Sequence, residues 1–309
     1  MGALFLLSAG IGAQTPSPPL TQVPLLDCSG LPCVDLAAGD GKTIRLLIDL
    51  GAANSYLDAK AAQNLGLQLQ PLKANDGTDI TQIQQTVVPG AHLGDAPLGD
   101  FPFMVLDTSE PQQNGQKAQS LPADGALTYR AFQNRMLQLD YPNHLIRISA
   151  PLAEAQACPQ KCGDLAIKHV GSSGPPTLTT TGFSINGQPV EAQLDTLFSG
   201  TMLVYPGAVE KLALKKQSKA KHKEFFPYIQ GGLKLARAEG ATESFYDVQL
   251  MQDAPLYFGT SDAHVPNVQF DATVGTDLLR RGVVTFDFKG MHMWIEAAGG
   301  LEGRSSSHA

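Results

Sequence analysis

The sequence predicts an all-β protein made of two homologous lobes with a few short helices, and three observations carry that expectation. Glycine and proline are abundant, 31 and 21 in 309 residues, which favours many turns over long helices. A strand–turn–strand stretch at residues 45–57, RLLIDLGAANSYL, returns at 190–205 as VEAQLDTLFSGTMLVY. Residues 124–149 and 271–296 then align without a gap at an offset of 147, against 146 between Asp49 and Asp195. The chain therefore reads as a duplication of one unit, and its length leaves each copy enough residues to bury a core of its own.

In the first copy, Leu46, Leu47 and Ile48 form a short apolar strand that runs into Asp49. Gly51, Ala52 and Ala53 follow as a tight turn of little bulk, and Ser55, Tyr56 and Leu57 resume an extended run. A single aspartate in such a turn most simply bonds its own backbone. Two of them at equivalent points of a repeat ask for another explanation. Residues 58–67, DAKAAQNLGL, carry a capping aspartate, alanines and a closing glycine, and read as a short surface helix whose counterpart is 207–214. Residues 80–88 and 101–106 alternate as strands do, and Asn75-Asp76-Gly77 is a strong turn signal ahead of them. A linker is expected at 151–163 and a loop at 170–176. The basic run 215–223, KKQSKAKHK, reads as the solvated end of the helix beginning near Gly207.

Hydrophobic residues at 43% and charged residues at 17% describe a globular chain. A net charge of −7 and a pI near 5.4 argue against a nucleic-acid partner, whose phosphates such a surface repels. The seven histidines show no paired metal-ligand spacing, no glycine-rich phosphate loop precedes a helix, and no serine sits in a nucleophile elbow. His144 and His292 fall in hairpin strands or turns. No metal or cofactor is expected.

The apolar strand entering an Asp-Thr-Gly-like turn, followed later by Asp-Gly or Asp-Ala, two apolar residues and a short helix before a hairpin, resembles the aspartic proteases. The likeness is to a two-lobed, retropepsin-like or pepsin-like member and spans roughly residues 25–297. Asp195-Thr196-Leu197-Phe198-Ser199-Gly200, with Leu203 and Pro206 beyond it, is similar to the Asp-Thr-Gly-Phe-Ser-Gly form of the motif. The resemblance implies two β-barrel lobes with a cleft between them and a flap hairpin at about 72–88. It implies Asp49 and Asp195 as the catalytic pair, sharing one proton and activating a water for hydrolysis of peptide bonds. Gly51, Ala52, Thr196, Ser199, Gly200, Asp124 and Gly275 would support the active-site loops. The substrate would be a peptide or an unfolded protein. One chain supplies both aspartates, so a monomer suffices for the pair.

Three positions depart from the family pattern. Leu50 stands where a threonine or serine hydroxyl would reach across the lobes, so half of that grip is missing, and an N–H it would satisfy is left open. Leu197 replaces the glycine that follows two residues after the aspartate, and Thr128 replaces the glycine kept in the second copy as Gly275. Catalytic geometry tolerates less displacement than a fold does. The alternative expectation is therefore a catalytically silent relative that binds peptides or a protein partner in its cleft.

Residues 3–11 form an apolar run, followed by small residues and TPSPPLTQVP. This resembles the apolar region and processing site of a secretory signal peptide, although basic residues before it are absent. The run is too short to span a bilayer, so no stable membrane insertion is expected. Four cysteines form two close pairs, Cys28 with Cys33 and Cys158 with Cys162, which in an exported chain read as two local disulfides. A four-cysteine zinc site would need the pairs brought together across the lobes, and neither pair has the two-residue spacing of a redox motif. The expected division is a leader and proline-rich segment at 1–22, lobes at 23–152 and 153–298, and a polar tail at 299–309, in a periplasmic or secreted protein.

Overall fold

The computed structural model describes residues 20–73, 78–107, 121–153, 158, 161–169, 175–214, 223–228, 233–259 and 270–298. The leader, the Asn75-Asp76-Gly77 turn signal, most of the basic run and the tail lie outside them.

The described chain is mostly strand, as expected, in one eight-stranded and one thirteen-stranded sheet. In the first lobe, strand Thr43–Asp49 lies between Leu31–Ala37, antiparallel to it, and Gly125–Thr128, parallel to it. Its early residues alternate, with Ile44 buried and Arg45 exposed, whereas Leu46 to Asp49 are all buried. A strand flanked on both edges and covered on both faces needs a continuous apolar run. Each of Leu46, Leu47 and Ile48 contributes about 1.5–3 kcal/mol by leaving water. That burial anchors the point at which Asp49 emerges.

The second lobe repeats the plan. Gln188–Leu194 pairs in parallel with Ala272–Val274, and Met202–Val204 pairs antiparallel with the same strand. The two halves meet in the larger sheet, where Met136–Asp140 pairs antiparallel with Gly282–Asp287. Gln138 and Thr285 face each other at the centre of that pairing, and the Gln138 amide donates to Thr285 Oγ1 at 2.9 Å. They are separated by the repeat offset of 147, so a pseudo-twofold axis passes between them.

Helix Ala59–Asn64 starts where expected, because the Asp58 carboxylate accepts the Lys60 N–H. Its counterpart is Pro206–Lys211, with proline at the first helical position. The reading of residues 215–223 as the end of that helix is corrected. Ala213 adopts φ 47°, and Leu214 N–H closes back onto the Val209 carbonyl, so the helix is already finished before Lys215. Lys223 itself begins strand Lys223–Phe226. The linker expectation also shifts, since Gly163 starts strand Gly163–His169 and Pro176 starts the strand paired with it. Strands Gln70–Lys73 and Asp79–Leu93 form an antiparallel hairpin where the flap was expected.

Both disulfides are present as paired from sequence, Cys28–Cys33 and Cys158–Cys162. Among the described residues, no helix is long and apolar enough to cross a membrane, and no group of three or more metal-ligating side chains occurs.

Candidate active site

Asp49 ends its strand and is buried, while Asp195 follows directly on Gln188–Leu194 and is half-buried. The loops behind them are built alike. Asp49 Oδ1 accepts the N–H groups of Gly51 and Ala52 at 2.9 and 3.1 Å, and Asp195 Oδ1 accepts the Leu197 N–H at 2.9 Å. Below each loop an exposed or half-buried aspartate clamps the incoming strand. Asp124 Oδ2 accepts the Arg45 N–H at 2.9 Å, and Asp271 Oδ2 accepts the Glu191 N–H at 3.1 Å. In each case the clamping residue also donates its own N–H to the carbonyl of the residue it holds. Asp124 thus acts on the base of the strand rather than beside the aspartates.

The two loops face each other. A Cβ added at Gly51 would lie 2.8 Å from Asp195 Cγ and 3.0 Å from its Oδ1. Only a glycine lets the first loop approach the second carboxylate this closely. Thr196 grips the opposite loop, accepting the Leu50 N–H at 3.0 Å and donating to the Ile48 carbonyl. Leu50 has no hydroxyl to return the bonds and is instead fully buried in the main core. The cross-lobe grip is one-sided.

Support for Gly51 comes from residues that sequence reasoning did not single out. Thr177 Oγ1 donates to the Gly51 carbonyl at 3.0 Å, and Gln193 Nε2 donates to Thr177 at 2.8 Å. Thr273 Oγ1 in turn donates to Gln193 Oε1 and contacts the Tyr205 hydroxyl. A relay inside the second lobe therefore holds the loop of the first. Nothing local in the sequence marks it, because its members are scattered over residues 177–273.

Thr128 and Gly275 show how one position can take different residues. A Cβ at Gly275 would sit 2.3 Å from the carbonyl oxygens of both Phe198 and Gly200, so glycine is required there. In the first lobe Ala52 is the equivalent of Phe198, and the Thr128 side chain is fully buried with its Oγ1 donating to the Ala53 carbonyl at 3.4 Å. Ser55 Oγ accepts the Thr128 N–H at 3.1 Å, whereas Gly275 N–H donates to the Thr201 carbonyl at 2.8 Å. The packing beneath Asp49 is altered, as expected, and the hydrogen bond is retained by a side chain. Ser199 is half-buried and Gly200 buried in the second loop.

Leu197 is half-buried and packs in a cluster with Tyr56, Leu121, Ala123 and Tyr228 over the buried Cys28–Cys33 disulfide. This apolar wall stands beside the aspartates. Burial is the largest influence on both carboxyl groups and pushes both above their ordinary value of 3.8. For Asp49 the negative charge of Asp195 adds to the rise, and the N–H groups of Gly51 and Ala52 oppose it. Tyr56, also missed from sequence, senses both carboxylates. Burial first, then the charges of Asp49 and Asp195, push its phenol upward and keep it a neutral donor.

Two sheets joined on a pseudo-twofold axis, each delivering an aspartate loop to the interface, define the two-lobed aspartic-protease architecture. Residues 34–126 match a family model described as aspartyl protease. Among solved structures it is similar to edgp, at 12% identity and a TM-score of 0.49, over 92% of this chain and 96% of that one. It is also similar to basic 7S globulin from soybean, at 11% identity and 0.48, over 91% and 95%. Conglutin gamma, a basic 7S globulin from lupine seeds, is similar at 13% and 0.49, again over 91% and 95%. No curated protein matches the sequence.

Proposed function

We propose that the protein is an aspartic endopeptidase of an oxidising, exported compartment, hydrolysing peptide bonds with Asp49, Asp195 and a water held between them. The observation that carries this reading is the approach of Gly51 to the Asp195 carboxyl, which makes the two acids one site. Two carboxyl groups raised by desolvation, with the charge of Asp195 lifting Asp49 further, hold a single proton over a broad range of pH. The ionised member takes a proton from the water as it attacks the scissile carbonyl. The protonated member hydrogen-bonds the carbonyl oxygen and stabilises the charge that develops there. Because burial lifts both groups, the singly protonated pair persists to higher pH than ordinary carboxyls allow. The two disulfides fit a chain that matures outside the reducing cytosol.

A second reading, a silent cleft that binds peptides without cutting them, is favoured by one observation. Leu197, two residues beyond Asp195, packs together with Tyr56 and Leu121 against the first-lobe cluster around Cys28, Cys33 and Leu47, so a bulky apolar side chain stands where the motif has glycine. Digestion of an unfolded protein between about pH 3 and pH 7, a span covering carboxyl and histidine titration, separates the two. Cleavage blocked by a pepstatin-type inhibitor and abolished by Asp49→Asn supports the enzyme. Binding of the inhibitor without cleavage supports the silent cleft.

A further inference from the structure

The Gly51 carbonyl that accepts from Thr177 belongs to the same planar peptide as the Ala52 N–H, and that N–H donates to Asp49 Oδ1 at 3.1 Å. Followed outward from Asp49, the path has a single direction. Thr177 spends its one hydroxyl proton on Gly51, so toward Gln193 it can only accept, and Gln193 Nε2 donates to it at 2.8 Å. Thr273 spends its proton on Gln193 Oε1 at 3.0 Å, so the Tyr205 hydroxyl, 2.9 Å away, is the donor to Thr273. Every donor thus points from Tyr205 toward Asp49. Thr177 and Thr273 are buried. At the outer end, Tyr205 caps helix Pro206–Lys211 and its ring packs edge-on against Phe270 at 5.5 Å, which fixes where the path begins. Burial pushes its phenol up to about 12, so it keeps its proton.

The geometry points to Tyr205, Thr273, Gln193 and Thr177 as positioning residues that reach across the lobe boundary and aim the Asp49 carboxyl through the Gly51–Ala52 peptide. A donor on a peptide carbonyl polarises the N–H of that peptide, so each bond in such a chain strengthens the next. The second loop is served locally. Leu197 N–H donates to Asp195 Oδ1, and the carbonyl of the same peptide, that of Thr196, accepts from Thr276 of its own lobe. Asp195 is therefore aimed from within its lobe, and Asp49 from the opposite one. A role in catalysis rests on the endopeptidase reading; the aiming of Asp49 does not.

NMR of the intact protein tests the aiming without substrate. Thr177→Val keeps the shape and removes the hydroxyl. It should move the Ala52 amide proton upfield and shift the Asp49 carboxyl 13C titration upward by up to roughly 0.5 of a pH unit, because losing one bond of a chain weakens the next by about 10–30%. Asp195 and the Tyr56 phenol, the titratable groups that bear on Asp49, are the same in both proteins. Thr177→Ser should restore both signals. Gln193→Leu should move them the same way by less, and adding it to Thr177→Val should move them no further, since the two act through one path. In digestion assays the loss should fall on kcat with KM kept, because the path ends on Asp49. A parent that cleaves nothing defeats the endopeptidase reading and leaves the NMR result standing. Signals unmoved in Thr177→Val would overturn the inference, as would a serine variant that fails to restore them, additive effects of the two substitutions, or a rise in KM alone. If Thr177→Val does not fold, the parent decides: the hydroxyl protons of Thr177 and Thr273 should give slowly exchanging resonances in water, and their absence overturns the path.

Discussion

Replacing Thr196 with valine tests the cross-lobe grip most directly, because valine keeps the shape and removes only the hydroxyl. Thr196, Leu50 and Ile48 are all fully buried, so water cannot take over the lost bonds. The Leu50 N–H loses its acceptor and the Ile48 carbonyl loses a donor. Two net hydrogen bonds and one orphaned buried N–H amount to about 2–4 kcal/mol. Thr196→Ser keeps the hydroxyl and should cost no more than about 1 kcal/mol for the missing methyl. Urea unfolding at fixed pH measures both. The single tryptophan, Trp294, is buried on a strand of the sheet that joins the lobes and reports the transition by fluorescence. If valine costs under about 0.5 kcal/mol, the range of ordinary surface changes, or if serine costs as much as valine, then the hydroxyl does not hold the lobes as argued.

Leu50→Thr combined with Leu197→Gly should raise acid proteolysis, and a tenfold gain in kcat/KM corresponds to about 1.4 kcal/mol of transition-state stabilisation; the same pair carrying Asp49→Asn must be inactive. Gly51→Ala drives a methyl to 2.8 Å from Asp195 Cγ, so it should destabilise by about 1–3 kcal/mol and suppress cleavage, as denaturation and digestion assays will read. The acid limb of kcat/KM against pH should lie above the ordinary carboxyl value of 3.8, since burial raises both acids; a profile whose two limbs both fall below that value refutes the buried dyad. By the same linkage, the dyad's stabilising contribution is whole below 3.8 and is lost as pH rises through the raised values, so Asp49→Asn should be more stable than the parent at neutral pH, measured by thermal unfolding.

Periodicity and repetition made the all-β, two-lobed fold and its two equivalent aspartate loops legible before any coordinates. The run Leu46-Leu47-Ile48 has the composition only a strand covered on both faces requires, and it delivers Asp49 to a turn. The offsets of 146 between Asp49 and Asp195 and 147 between Asp124 and Asp271 implied two equivalent loops, and equivalent loops must meet on an axis. The capping Asp58 and the close cysteine pairs were visible because each acts over a few residues. The end of the second-lobe helix was not, since Ala213 takes a left-handed conformation that alanine does not advertise.

What only the tertiary structure decided lies in contacts between segments far apart in the chain. Thr196 reaches Leu50 across 146 positions, and Thr177 reaches the Gly51 carbonyl across 126. The first was implied by the threonine after Asp195 in the motif; the second leaves no local trace, because threonine is an ordinary strand residue. Thr128 looked like a defect until Ser55 and the Ala53 carbonyl were seen to supply hydrogen bonds for it. Tyr56 came under the influence of both Asp49 and Asp195 only through the packing of the chain in space. Hydrophobic period and turn chemistry act within a few residues and are written along the chain. Desolvation and cross-lobe hydrogen bonding act through space, and they exist only once the chain has closed on itself.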